Sequence, residues 1–390
     1  MANHYPRIPT VTATLQQLGE RARGPIGSAL PALTLYYAAQ AISVLLLTVM
    51  SAQAGMPIGQ VLGSFDGNWF MEIAEHGYRQ DVVIDANGKP SEVSLAFFPL
   101  YPGVVGAFTA IGIPVLTSGI IVSLVAGGVA AWGLSVLGTE IADRRTGTML
   151  VAVWAIAPGS VVLHMVYSEA LFCALAVWTL VALHRRQWLT AGSLALLAGL
   201  TRSTAAALIA AVGVAALIAI VRRRDGWRPY AAALIAPLGL LGYLLYVAAR
   251  SGRLDGWFWL QAEVWYLGFD GGAFTWEQLG NALTGEVPGW AVLVALIVLG
   301  TIVLLAWSYT VPLPPAVHVY ATLMVVSALG TSQFWQSRPR FLLPAFTIVV
   351  PIAILLAKLP NRVLGILLPV GLLASAWFGG YLLTVGGMNP

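Results

Sequence analysis

Residues 190–221 read TAGSLALLAGLTRSTAAALIAAVGVAALIAIV, an almost wholly apolar run of 32 residues with Thr201-Arg202-Ser203 in its middle. The run fits poorly to a single membrane span, which needs about 20 residues. An arginine halfway across a bilayer is also costly, so by default it faces a cavity, an anion or a paired acid. A hairpin with its tip near 201–203 avoids both difficulties. Flanking charge favours the hairpin. Basic residues gather at Arg144-Arg145, Arg185-Arg186, Arg222-Arg223-Arg224 with Arg228, and Lys358 with Arg362. All four clusters fall on the cytoplasmic side if 190–221 turns back and if 95–113 lies on or re-enters the membrane instead of crossing it. The inside then carries 13 basic and 4 acidic residues, and the outside 7 and 12, which together are the 20 Lys+Arg and 16 Asp+Glu of the chain.

Composition agrees with this reading. The chain has 390 residues, 58% of them apolar and only 9% charged, with a mean hydropathy of +0.82. Soluble domains carry about a quarter charged residues. An all-α polytopic membrane protein is therefore expected, as one membrane-embedded domain over 1–390. About nine full spans are expected, at 28–51, 116–138, 147–164, 167–184, 229–249, 288–308, 315–332, 341–357 and 362–384, plus the 190–221 hairpin. The polar start, 1–27, holds Arg7, Arg21 and Arg23 and reads as a cytoplasmic tail on an uncleaved anchor. The net charge of +4 does not indicate nucleic acid, because the basic residues sit in short clusters between spans. Cys173 is the single cysteine, so no intramolecular disulfide can form, and no Cys/His cluster has zinc spacing.

Two outer segments stand out. The first outer loop, 52–115, contains Phe65-Asp66-Gly67-Asn68-Trp69-Phe70 and ends its helix-like stretch at His76-Gly77-Tyr78. Trp69, Phe70, Ile73 and Ala74 lie three, four, seven and eight residues beyond Asp66. They form one apolar face of a short helix with Asp66 at its tip. Asp66 can cap that helix, or act as a base at the lipid surface, or do both. The second segment, 250–287, carries Trp257, Phe258, Trp259, Trp265, Tyr266, Phe269, Phe274 and Trp276. Such aromatics favour the headgroup layer.

Other outer motifs are shorter. Ala96-Phe97-Phe98-Pro99-Leu100-Tyr101-Pro102 opens the poorly spanning 95–113. Tyr167-Ser168-Glu169 sits at an outer span junction after His164, where Ser168 can cap and Glu169 needs a partner. Arg202 either pairs with Glu169 or another outer acid, or meets an anion. Gln336-Ser337-Arg338-Pro339-Arg340 places two arginines on the acid-rich side. They either snorkel to the surface or present planar donors to phosphate oxygens.

Four of these motifs, 65–78, 96–102, 167–172 and 337–341, resemble in order the signatures of the PIG-V mannosyltransferases. One departure is Phe65, where that family usually has Trp. The resemblance implies a GT-C glycosyltransferase fold and a bacterial relative in the plasma membrane, working on its extracytoplasmic side. It implies polyprenyl-phosphate mannose as donor and a membrane glycolipid of the phosphoinositide mannoside or lipomannan type as acceptor, with inversion at the sugar. Asp66 then maps to the catalytic aspartate, and Arg338, Arg340 and Arg202 to the donor phosphate. Trp69, Tyr101, His164, Tyr167, Glu169 and Gln336 complete the expected substrate site. No nucleotide-binding domain, metal or other cofactor is expected. Two rivals stand beside this reading: a lipid or solute transporter, since broken helices also mark transport sites, and a non-catalytic subunit of a glycosylation complex.

Overall fold

The computed structural model describes residues 25–79, 84, 89, 90 and 94–390. The expected tail at 1–27 lies outside these residues except for its last three, which open the first helix, Pro25–Gln53. The described chain is all helical, with two isolated bridges and no strand. Five helices are long and apolar enough to cross a membrane: Ala29–Gln53, Val115–Ile141, Arg228–Ser251, Gly289–Ser308 and Asn361–Thr384. A sixth candidate, Trp335–Leu342 with Phe346–Leu356, is bent by 72°. This is the architecture of a multi-pass membrane protein.

The expected count of nine full spans differs from this, and the reasons are local. The stretch 147–164 is one helix, Arg144–Ala155, and then a 3-10 turn, Ser160–His164. Pro158-Gly159 separates them. A Cβ on Gly159 would lie 2.5 Å from the Pro339 carbonyl oxygen and 2.6 Å from the Arg340 nitrogen, so only glycine admits that backbone contact. Glu169–His184 and Pro315–Leu329 have 16 and 15 residues. They lie in the centre of the bundle, where Phe172, Cys173, Tyr320 and Met324 are fully buried. A helix surrounded by protein need not match the bilayer thickness, because neighbours cover its ends.

The hairpin expected at 190–221 is present as two helices, Trp188–Gly199 and Ala205–Val221, broken at 200–204. Their far ends meet through Asp225, which accepts from Trp188 Nε1 at 3.0 Å and lies 3.9 Å from Arg186 Nη1. In the stretch 95–113 the helix, Leu100–Ala110, is 11 residues long, about 16 Å, shorter than a bilayer core. It packs on Asp66–His76 so closely that a Cβ on Gly106 would sit 2.9 Å from the Ala74 carbonyl oxygen. The Leu100 amide donates to the Leu200 carbonyl at 2.8 Å, which ties this segment to the hairpin tip. The aromatic segment folds as Gly256–Trp265 and Ala273–Thr284. Trp257 Nε1 donates to the Ala96 carbonyl at 3.2 Å.

Candidate functional site

Four chain breaks converge at one end of the bundle: 64–66, 165–169, 200–204 and 333–340. Each exposes backbone and lets a polar side chain turn inward, where a continuous helix would present only apolar surface. Asp66 is the first residue of the helix Asp66–His76. Phe65 before it has φ +56°, a conformation that costs a non-glycine residue on the order of 1–3 kcal/mol. The burial of Phe70 and Ile73 fixes the helix, as its apolar spacing requires. Asp66 does not cap it: the carboxylate makes no bond to the first-turn amides. It turns instead toward Arg340, whose Nη1 lies 3.0 Å from Oδ2.

Arg340 is the hub. It is 4% exposed. Nη1 also donates to Asn389 Oδ1 at 2.9 Å, and Nε lies 3.3 Å from Glu169 Oε1. The guanidinium rests over the Tyr167 and Phe341 rings, 5.1 and 5.0 Å from their centroids. Glu169 is fully buried and its Oε1 also lies 2.8 Å from Arg202 Nη1. Neither contact to Glu169 is aligned as a hydrogen bond, so charge more than directed bonding holds this carboxylate. Two carboxylates thus face two guanidiniums, and the group is neutral. That balance matters, because leaving one member of a buried pair alone costs roughly 3–5 kcal/mol.

Arg202 reaches the cluster from the hairpin tip. Nη1 donates to Ser168 Oγ at 3.1 Å. Its side chain stays 18% exposed and lines a cleft of about 770 Å³ with Asp66, Ser168, Arg340 and Asn389. Phe97, Phe98, Trp257, Trp265 and Phe334 form the apolar wall. An adjoining groove of about 1450 Å³ shares Arg202, Ser203, Trp257 and Phe341 with the cleft. It runs over Ala206, Ala207, Leu323 and Val326 and is mostly apolar. Asp66 keeps 19% of its side chain open to the cleft.

The other expected site residues are distributed differently. Tyr167 belongs to the cluster: its hydroxyl donates to Asn389 Oδ1 at 3.0 Å and approaches the Ser64 carbonyl at 3.4 Å. Trp69 stacks on Phe97, behind the cleft wall, at 6.1 Å. Tyr101 is fully buried under Phe70, its hydroxyl bonded to the Gly119 carbonyl at 3.0 Å and Ser123 Oγ at 2.8 Å. It supports the site without reaching it. His164 faces Gln40 Oε1 at 2.9 Å and does not line the cleft. Gln336 is half-buried and also off the cleft.

Arg338, expected beside Arg340 at a donor phosphate, is placed apart from the cluster. Both arginines of the Arg-Pro-Arg turn are buried, so neither snorkels. They point in different directions from a short helix, Arg338–Leu342. Arg338 Nη1 donates to the Ala328 carbonyl at 2.6 Å and Nη2 to the Thr331 carbonyl. These are the open carbonyls at the end of Pro315–Leu329. Arg338 is a clamp on that helix and lines neither the cleft nor the groove.

Asn389 carries no signal that local sequence reading could use. It is far from every motif and reaches the site because Gly387, at φ +60°, turns the chain back after the last helix. Among the described residues no three His, Cys, Asp or Glu side chains gather as a metal cage, and Glu169 is already held by two arginines. No protein-family model matches this chain, and no curated protein matches it.

Proposed function

We propose that this protein is an inverting, GT-C-type mannosyltransferase that uses polyprenyl-phosphate mannose. It glycosylates a membrane glycolipid of the phosphoinositide mannoside or lipomannan type on the extracytoplasmic side of the plasma membrane. One observation carries the reading. A partly open carboxylate, Asp66, shares a cleft with Arg202 and Arg340, and that cleft continues into an apolar groove beginning at Arg202. A lipid-linked sugar phosphate has this order of parts: a prenyl chain for the groove, a phosphate for guanidinium, and a sugar for the cleft.

The chemistry follows from those parts. Asp66 accepts the proton of an acceptor hydroxyl as its oxygen bonds to the anomeric carbon. The bond between that carbon and the phosphate oxygen breaks, and the electron pair leaves with the polyprenyl phosphate. The attack from the opposite side inverts the configuration. Arg202 supports the growing negative charge through donors not engaged by Glu169 or Ser168, and Arg340 adds positive charge beside it. The transporter reading has less support, because the charged groups gather at one end of the bundle.

The test is purified protein in lipid vesicles with polyprenyl-phosphate mannose and a panel of membrane glycolipids, followed by mass spectrometry and anomeric analysis of the product. A single added hexose of inverted configuration is expected. Unchanged glycolipids throughout the panel, with donor intact, would remove the transferase reading.

A further inference from the structure

We infer that Asn389 is the positioning residue for Asp66. Residues 385–390 return across the site as a strap after the helix Asn361–Thr384. The Met388 amide donates to the Leu382 carbonyl at 2.9 Å, and Pro390 is buried. Ser337 Oγ donates to the Asn389 carbonyl oxygen at 3.0 Å. The backbone is therefore anchored on both sides of the side chain.

The carboxamide has three partners, and their chemistry fixes which way it faces. Oδ1 accepts from Arg340 Nη1 at 2.9 Å and from the Tyr167 hydroxyl at 3.0 Å. Both of those groups are donors, so the oxygen belongs there. Nδ2 then donates to Asp66 Oδ1 at 3.2 Å, a carboxylate that can only accept while ionised. Arg340 holds the other oxygen, Oδ2, at 3.0 Å. Each oxygen of Asp66 is thus tied on its inner side, one by a cation and one by a neutral amide. Rotation of the carboxylate is blocked, while part of it stays open to the cleft.

This arrangement has a use that neither partner supplies alone. A base must sit within about 0.5 Å and 10–20° of its working geometry. Arg340 by itself fixes one oxygen and leaves the carboxylate free to swing. A second cation at Oδ1 would fix the orientation and also weaken the base. An amide fixes orientation without adding charge. The catalytic meaning of this positioning rests on the glycosyltransfer reading above; the geometry does not.

The experiment compares wild type with Asn389→Ala, Asn389→Gln and Asn389→Asp, each confirmed as folded by an unchanged melting profile. Two readouts are taken. The first is mannosyl transfer, separated into kcat and acceptor and donor KM. The second is the rate at which an apolar carbodiimide labels Asp66 at fixed pH, read by mass spectrometry, which needs no turnover. Asn389→Ala is expected to lower kcat about tenfold with donor KM little changed, since a loosened base loses orientation and not substrate. It should also raise carbodiimide labelling of Asp66 severalfold, because one oxygen is released. Asn389→Gln should recover part of both effects, and Asn389→Asp, which sets a second carboxylate against Asp66, should be the worst of the three. Labelling and kcat both at the wild-type level in Asn389→Ala would overturn the inference. So would a rise in kcat, which would make the strap an obstruction that occupies the acceptor's place. Altered labelling in a protein that transfers no sugar would uphold the positioning role and reject the transferase reading.

Discussion

Arg338 and Arg340 stand two residues apart and do different work. A five-residue helix with Pro339 in it directs Arg340 to Asp66 and Glu169, and Arg338 to the carbonyls of Ala328 and Thr331. Their variants should separate accordingly. Arg338→Ala leaves two buried acceptors open, so it should lose roughly 1–3 kcal/mol for each unsatisfied group. Thermal melting checks this, and donor KM should stay near wild type if the protein is assayed below its lowered melting point. Arg340→Ala removes the shared partner of two carboxylates. It should destabilise by about 3–5 kcal/mol and abolish transfer, and Arg340→Lys should restore little, because one ammonium cannot span Asp66, Glu169 and Asn389. A single-step loss of donor affinity in Arg338→Ala with full stability would show that the clamp assignment is mistaken.

At the scale of elements, the site depends on close backbone approach. The join between Arg144–Ala155 and Ser160–His164 lies against Pro339 and Arg340 through Gly159. Gly159→Ala should push the 339–340 backbone away, reducing stability by roughly 1–3 kcal/mol as an overpacked contact. Transfer should fall further than the melting temperature alone explains, since Arg340 moves with its backbone; activity compared at matched folded fraction checks this. The helix Ala273–Thr284 provides a pH test. Asp270 Oδ1 and Oδ2 accept from the Gly272 and Phe274 amides, both at 2.8 Å. Desolvation is the largest single influence and pushes the Asp270 carboxyl up, but those amides and the nearby Arg338 charge together hold it below its ordinary value. A carboxylate depressed in the folded state contributes stability above its unfolded value, near 3.9, and loses it as pH falls further. Acid melting curves of the wild type should therefore fall more steeply below about pH 4 than those of Asp270→Asn. Parallel curves would remove Asp270 from the acid response.

For the whole molecule, charge and length carried more information than propensity did. The helix pair at 190–221 and the short helix within 95–113 agree with what the arginine clusters suggest, because each cluster constrains which side a chain segment occupies. Asp66, Tyr167, Glu169, Arg202 and Arg340 lie together, and in the sequence only the family resemblance of their motifs groups them. The break at Pro158-Gly159 could not be read in the sequence, since its cause is a distant backbone at 339–340. Arg338 and Arg340 point apart because residues two apart on a helix project about 200° round its axis, but nothing local marks the short helix Arg338–Leu342 that sets them so. Asn389 was invisible for the same reason, because a return strap leaves no pattern in its own sequence. Tyr101 and His164 were polar enough to suggest a site, but their partners turned out to be Gly119, Ser123 and Gln40. The proposed activity depends on Asp66 acting as the base of a lipid-linked mannosyl transfer. Its most direct test is the initial rate of mannosyl-glycolipid formation by wild type and Asp66→Asn in vesicles at saturating polyprenyl-phosphate mannose. Loss of a general base predicts a fall of about 10²–10⁴-fold in kcat with donor binding retained; a variant that turns over within a few-fold of wild type would contradict the account.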